Sequence, residues 1–168
     1  MQPNMINWLG PAATIIASFV AVGVTAYFAR QQTAIAREQA RTARENLRHN
    51  LYERRWAIFE SIFDYYRAMI GWQGTSEQEK AKERFFRSYQ QAGFLFSKEI
   101  EELMKSLNDK GNFVTGMKEL MANPASRPDP KTGSEYMKKI NDIQTKGFEE
   151  GFLKLKAAIS PYLTFEHI

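Results

Sequence analysis

The sequence contains no cysteine and only two histidines, His49 and His167. Without cysteine the chain can form no disulfide, no thiolate zinc site and no cysteine nucleophile. The histidines lie far apart, and no acidic cluster at metal-ligand spacing accompanies either one, so we predict no metal site and no cofactor. The phosphate loops GxxxxGK(S/T) and GxGxxG and the nucleophile elbow GxSxG are also missing, which removes the strongest signatures of nucleotide-binding enzymes and serine hydrolases.

Charged side chains are missing from the first 29 residues. The run from Met5 to Ala29 is apolar or small, and as a helix it would measure about 37 Å, which exceeds a hydrocarbon core of about 30 Å. Residues 1–8 lack the basic n-region of a cleaved signal peptide. We therefore predict one transmembrane helix in residues 1–30; the alternative is a buried core helix of a soluble protein.

Positive charge begins at Arg30, directly after the apolar run. Between residues 30 and 55, seven arginines outnumber three glutamates, which gives a net charge of +4. The positive-inside rule then predicts a bacterial inner-membrane protein with its N-terminus outside and residue 30 onward in the cytoplasm. Trp8 and Tyr27 are placed to anchor the two interfaces. The arginines favour contact with anionic lipid headgroups, and an RNA-binding surface is the alternative.

Glycine and proline are missing between Gly23 and Gly71, and no segment alternates apolar and polar residues as a strand would. We predict an all-α fold: a transmembrane helix in 1–30 that continues into a basic helical arm in 31–50, then a cytoplasmic domain of roughly four helices in 51–168. After the first core helix, we expect a helix over about 77–108 that bends or restarts near Gly93 and Ser97, a short helix over 113–122, a proline-rich loop over 123–133, and a last helix capped by Ser134 and ended by Pro161.

Local signals place the start of the second helix and the core. A capping box begins the helix at Thr75 with Gln78, or at Ser76 with Glu79. Apolar residues at helical spacing predict the inward faces. They are Trp56, Phe59, Phe63, Tyr66 and Ile70; Phe85, Phe86, Tyr89, Ala92, Phe96, Ile100, Leu103, Met104 and Leu107; Met137, Ile140, Phe148, Phe152, Leu155 and Ile159; with Tyr162, Leu163 and Phe165 folded back on the core.

One side of the predicted span is small and carries hydroxyls, whereas the other side is bulky. In lipid, small residues mark helix contacts, so we predict a homo-oligomer. If several copies surround an axis, Thr14, Ser18 and Thr25 would line a narrow pore with Phe28 or a ring of Arg30 at its inner mouth. The alternative is that alanine, serine and threonine occur here as common residues of a transmembrane helix, without a role in helix contact or conduction. The small side comprises Ala13, Thr14, Ala17, Ser18, Ala21 and Thr25.

In the arm, a 3–4 spacing of small residues predicts a thin coiled-coil seam at Thr33, Ala36, Ala40, Ala43 and Leu47. The same spacing suits a helix that lies against its own domain. Arg44 and His49 also fit the pattern R-x4-H of HEPN-type ribonucleases, in which an arginine and a histidine act on the RNA 2′-hydroxyl and phosphate. Because arginine recurs every three or four residues here, the alternative is that His49 is only a polar residue where the arm joins the domain.

The order of features resembles a widespread class of small bacterial membrane proteins, on the segments IAREQARTARENLRHNLYERRWAIFE, AGFLFSKEIEELMKSL and ISPYLTF. The span, helical body and R-x4-H together also resemble the HEPN-like membrane accessory proteins of type VI CRISPR systems. That resemblance implies an oligomeric effector that forms a membrane pore in antiviral defence, in which Arg44 and His49 match the degenerate HEPN signature. The alternatives are a membrane-tethered helical module that binds a cytoplasmic protein, and a tethered ribonuclease.

Overall fold

The computed structural model describes the backbone of residues 6–164 and the side chains of residues 14–164. All regular structure in that part is helical, which confirms the all-α prediction. The chain divides into two compact units, Met1–Leu47 and Arg48–Ile168. Expectations for the side chains of Trp8, Ala13, Phe165 and His167 lie outside the described residues.

Seven helical segments follow one another in the described part of the chain. Phe96 has an extended backbone and Ser97 is the N-cap of the next helix, so the predicted helix 77–108 restarts at Ser97 as expected. The predicted short helix 113–122 is instead the last part of the long helix that begins after Ser97. The segments are α1 (Ile6–Ile70), α2 (Ser76–Leu95), α3 (Lys98–Ala122), α4 (Pro130–Asp142), a π turn (Ile143–Gly147), α5 (Phe148–Ile159) and a 3-10 turn (Ser160–Leu163).

The start of α2 confirms one of the two predicted capping boxes. Thr75 accepts a hydrogen bond from the Gln78 backbone N–H, and the Gln78 side chain accepts one from the Thr75 N–H. Gly74 in the preceding turn has a φ of +75°, a value that glycine adopts without steric cost. A reciprocal cap therefore fixes where the chain re-enters a helix after α1.

The helix α4 differs from the prediction in its N-cap residue and in which of its residues face the core. The N-cap is Asp129, whose carboxylate accepts from the N–H groups of Lys131 and Thr132 and whose next residue is a proline at the first helical position; Ser134 lies inside α4. Ile140 is buried as expected, whereas Met137 of the same helix is 50% exposed. The π turn follows both residues and adds a residue between α4 and α5.

The core of the second unit is centred on Tyr65. Its ring stacks on Phe85 of α2, with centroids 4.1 Å apart, and meets Phe148 of α5 edge-on at 5.9 Å. Its hydroxyl lies against the backbone of α3 at Gly111. One side chain of α1 thus contacts three other helices, and α3 packs against α2, α4 and α5 around it.

The inward face of α1 was predicted wrongly. Its buried residues are Ile58, Ser61, Ile62, Tyr65, Ala68 and Met69. By contrast Trp56, Phe63 and Ile70 are 41%, 42% and 46% exposed, although Phe59 and Tyr66 are half-buried against the core. Residues 51–72 are apolar on two adjoining sides of the helix, so the 3–4 spacing fits two faces about equally well and the larger aromatic residues pointed to the wrong one.

The other predicted inward faces are mostly correct. Phe85, Ala92, Phe96, Ile100, Met104, Leu107, Phe148, Phe152, Leu155 and Ile159 are all buried. Phe86 is an exception, since nearly half of its surface is accessible. Tyr162 and Leu163 fold back and pack against the core as predicted.

The C-terminal end of α1 is capped by side chains from other elements. A helix leaves its last four carbonyl groups without partners inside the helix. Gln78 donates to the carbonyls of Ala68 and Gly71, and Gln144 of the π turn donates to that of Met69 at 2.6 Å. Lys118 of α3 donates to the next carbonyl along the chain, at Trp72.

Replacing Gly111 by alanine should unfold or strongly destabilise the helical domain. The new Cβ would lie 1.6 Å from the Tyr65 hydroxyl oxygen and 2.8 Å from its Cζ, in a core that cannot open without losing contacts. We expect the free energy of unfolding to fall by about 1–3 kcal/mol or more in urea titrations of the protein in detergent. Gly116→Ala on the same helix is the matched control, because nothing lies within 4 Å of its Cβ and alanine favours the helix. Equal stability of the two variants would contradict this packing.

Tyr65→Phe should stabilise the domain and remove part of its alkaline sensitivity. The Tyr65 hydroxyl is buried and has no hydrogen-bond partner among the described residues. Burial, with a smaller contribution from the charge of Asp109, raises the pKa of Tyr65 far above its usual value of 10.0. The neutral form is therefore favoured in the folded state, and its stabilising effect is complete below pH 10 and is lost as the pH rises further.

The measurement is urea unfolding between pH 8 and 11 of wild type, Tyr65→Phe and the control Tyr136→Phe, which lies outside the core. Above pH 10 the wild type should lose up to about 1.4 kcal/mol per pH unit more than Tyr65→Phe. A parallel pH dependence of all three proteins would show that the Tyr65 hydroxyl is not buried.

Candidate functional site

The described part of the first unit presents its whole surface to the surroundings. Every side chain from residue 14 to residue 47 is exposed, including Ile15, Ile16, Phe19, Val20, Val22 and Val24. This is the one helix in the described residues that is long and apolar enough to cross a membrane, and none of that stretch is buried. A stretch of this length and composition could cross a membrane.

Two hydroxyl groups of the apolar stretch, those of Ser18 and Thr25, are bonded within their own helix. Ser18 donates to the Thr14 carbonyl and Thr25 to the Ala21 carbonyl, each at 2.8 Å. Such back-bonding lowers the cost of placing a hydroxyl in hydrocarbon. The side chains predicted to line a pore can therefore also face lipid, and their role as pore-lining or contact residues stays a prediction.

At the end of the span, Tyr27 and Phe28 are in edge-to-face contact, with centroids 5.9 Å apart. Arg30 and Arg37 line a shallow depression with Ala29, Thr33 and Ala34. Both side chains lie on the surface of the helix. The proposed ring of Arg30 needs several copies and is not tested by one chain.

The two residues of the R-x4-H pattern are both on the surface. Arg44 is exposed, and the exposed side chain of His49 lies with its Nε2 3.2 Å from a carboxylate oxygen of Glu53, one helical turn away. Exposed pairs of this kind, like Arg41 with Glu45, contribute little to stability. A catalytic role for Arg44 and His49 stays a prediction. Within residues 14–164 no group of three or more His, Cys, Asp or Glu side chains could hold a metal ion.

Arg55 has a structural role that the sequence did not indicate. Its guanidinium donates to the carbonyls of Leu95, at the end of α2, and Tyr162, in the 3-10 turn, and lies 5.3 Å from the centre of the Tyr162 ring. The sequence predicts that the arginines of residues 30–55 are surface charges that set the membrane topology. Arg55 instead joins the end of α2 and the 3-10 turn, whose bonded residues lie 40 and 107 positions further along the chain. No local signal distinguishes Arg55 from Arg54.

A stripe of large apolar side chains, four of them aromatic, runs along α1 and is only partly exposed. It consists of the five residues that were predicted to face the core: Trp56, Phe59, Phe63, Tyr66 and Ile70. Phe63 and Tyr66 contact Phe152 of α5, with centroids 5.8 Å and 4.5 Å apart. Charged groups cover parts of it, since Trp56 donates to Glu60 at 2.8 Å and the Arg67 guanidinium lies over Phe63. The stripe is held rigidly by the fold while half of each of three large side chains faces outward.

The depressions on the second unit are shallow and open. One lies between α1 and α2 and is lined by Arg67, Glu77 and Lys80, with an ion pair between Arg84 and Asp64 at 2.9 Å. Its mixture of both charge signs and its openness do not resemble an enclosed, mostly apolar ligand site. The exposed aromatic residues are therefore the more informative surface of this unit.

No protein-family model, curated protein or solved structure matches the chain. The resemblances drawn from the sequence therefore remain expectations.

Arg55→Lys should destabilise the helical domain, although it keeps the charge. Lysine cannot reproduce two directed N–H bonds together with stacking on Tyr162. We expect a loss of about 1–3 kcal/mol in the free energy of unfolding, measured by urea titration. Arg54→Lys is the matched control, because Arg54 is exposed, and should have almost no effect. If the two substitutions lower the free energy of unfolding equally, Arg55 does not hold the end of α2 and the 3-10 turn in place.

Proposed function

We propose that this protein is a single-pass protein of the bacterial inner membrane that associates with copies of itself and presents a helical domain to a cytoplasmic protein partner. The observation that carries the proposal is the exposed apolar stretch of α1, in which the hydroxyls of Ser18 and Thr25 are bonded to their own backbone. The arginines from Arg30 onward support a cytoplasmic location of the second unit. Contact with the anionic leaflet follows from the same charges.

Self-association is supported by the two-sided character of the span. Thr14, Ser18, Ala21 and Thr25 form a small side, whereas the bulky residues lie opposite. Small side chains let helix backbones approach closely in lipid, where van der Waals packing drives association. Because the hydroxyls already have partners, this contact would need no interhelical hydrogen bond.

An interaction domain, rather than an enzyme, is supported by the surfaces of the second unit. Trp56, Phe63 and Phe94 are held at the surface, with 88% of Phe94 exposed. Aromatic side chains bury a large area on binding for little loss of conformational freedom. Of the candidate catalytic residues, His49 is exposed and paired with an exposed carboxylate, which supplies neither a desolvated acid nor a shaped pocket.

A second candidate function is a membrane effector that permeabilises or depolarises the bilayer, the activity implied by the resemblance to CRISPR accessory proteins. It is supported by the sequence of small and hydroxyl-bearing residues that leads to Phe28 and Arg30 at one end of the span. In this version the helical domain senses a cytoplasmic trigger, and a ring of spans forms the conducting path.

Two charges in the middle of the apolar stretch should release the protein from the membrane. Phe19→Arg/Val20→Arg would cost roughly 5–7 kcal/mol on insertion, because each arginine near a helix centre costs about 2.5–3.5 kcal/mol. The measurement is the distribution of the full chain between membrane and soluble fractions after a carbonate wash. Gln31→Arg/Gln32→Arg, just beyond the stretch, is the matched control and should stay in the membrane. Membrane retention of both double variants would remove the anchoring proposal.

Replacement of residues 14–29 by leucine separates the two candidates. A leucine span keeps the anchor but removes the small side, so a tethered module would remain in the membrane without any change of membrane potential on expression. If wild-type protein depolarises cells and the leucine variant does not, the effector is the correct function. A potential-sensitive dye, read at equal expression levels, gives the result.

A further inference from the structure

The exposed residues of the aromatic stripe follow the heptad repeat of a coiled coil. Trp56, Phe63 and Ile70 are seven residues apart and 41–46% exposed. Phe59 and Tyr66 lie between them at the intermediate 3–4 positions and are half-buried against the domain's own core, so the outward contact is made by the series of three. A side of a helix with this spacing packs against a second helix in register. We propose that the stripe is a contact with the same stripe on a second copy of the chain, with the two α1 helices parallel.

Charge on the two flanks of the stripe fits a parallel pair. In a parallel coiled coil, the residue just before each member of the seven-residue series faces the residue five positions further along the other helix. Arg48 then faces Glu53 of the second copy, and Arg55 faces its Glu60, so both contacts join opposite charges. Arg55 can serve both purposes because a guanidinium has five N–H donors and its two carbonyl bonds are 3.3 Å and 3.4 Å long.

An antiparallel pair fits less well. The antiparallel register that aligns the apolar residues sets Trp56 against Tyr66 and joins Arg67 to Glu53, but it also brings Glu60 against Glu60 of the second copy. Two chains that insert in one bilayer from the same side also enter the cytoplasm in the same direction, which favours a parallel contact.

The area of the stripe indicates that the contact depends on the membrane anchor, and in this respect the inference rests on the proposed function. The exposed parts of the three core-position side chains amount to on the order of 300 Å² per copy. A stable interface buries about 800 Å² on each partner. Anchoring raises the effective concentration of one copy near another, so that a small contact can form.

The absence of cysteine makes the test direct, because any engineered cysteine is the sole thiol of the chain. Trp56→Cys, Phe63→Cys and Ile70→Cys are made separately in the full-length protein and oxidised in native membranes. A parallel stripe sets each position opposite its own counterpart, so all three variants should give a disulfide-linked dimer on a non-reducing gel. Phe94→Cys on α2 is the control: it is more exposed than any of them, yet should form the dimer at least tenfold more slowly.

Two results would overturn the inference. Equal cross-linking of Phe94→Cys would mean that the dimers arise from random collision. A mixed dimer between Trp56→Cys and Tyr66→Cys proteins, with little dimer from Trp56→Cys or Ile70→Cys alone, would mean that the helices are antiparallel. Ala21→Cys in the span reports the proposed self-association separately. If Ala21→Cys cross-links and the stripe does not, the inference fails while the proposed association stands; if neither does, both fail.

A charge exchange tests the flanks of the stripe. In the Phe63→Cys background, Arg48→Glu should lower the yield of dimer several-fold, because it sets two glutamates against each other across the contact. The double change Arg48→Glu/Glu53→Arg restores opposite charges in a parallel pair and should restore the yield. Lack of recovery in the double variant, with folding unchanged by circular dichroism, would contradict the parallel register.

Discussion

The carbonyl groups at the end of α1 constrain the whole helical domain. They lie where α1 ends, and a buried carbonyl without a donor costs more than an ordinary hydrogen bond gains. The donors are Gln78, Gln144 and Lys118, which belong to α2, the π turn and α3. The amide oxygen of Gln78 meanwhile accepts from the N–H groups of Gln73 and Thr75. These elements must therefore be in place together for the end of α1 to be satisfied.

Local signals in the sequence predicted the helical elements better than their faces. The capping box at Thr75, the restart at Ser97 and the long uninterrupted α1 depend on neighbouring residues, and all three are present. The buried side of α1 depends on which of two apolar faces meets Tyr65's partners, Phe85 and Phe148, and no local pattern specifies that. The π turn could not be predicted from local sequence either, because its residue Gln144 bonds to Met69, which is 75 positions away.

The candidate site shows the same limit. The arginines from 30 to 55 look alike in sequence, yet Arg55 binds the end of α2 and the 3-10 turn, while Arg44 lies on an exposed surface. The spacing of Trp56 and Phe63 predicts that both face the core, whereas both are exposed. Their spacing was informative, but for an outward surface: size and hydrophobicity do not distinguish a residue that packs inside one chain from a residue that packs between chains.

The π turn between α4 and α5 has a consequence for how this sequence can change in length. A π turn is the trace of a single inserted residue that an otherwise continuous helix has absorbed. Deletion of one residue there would restore an unbroken α-helix but rotate α4 by about 100° relative to α5, which would turn Ile140 outward. Variation in length among descendants of this chain should therefore be found in the proline-rich loop at 123–129, while the segment from α4 to α5 keeps a constant number of residues.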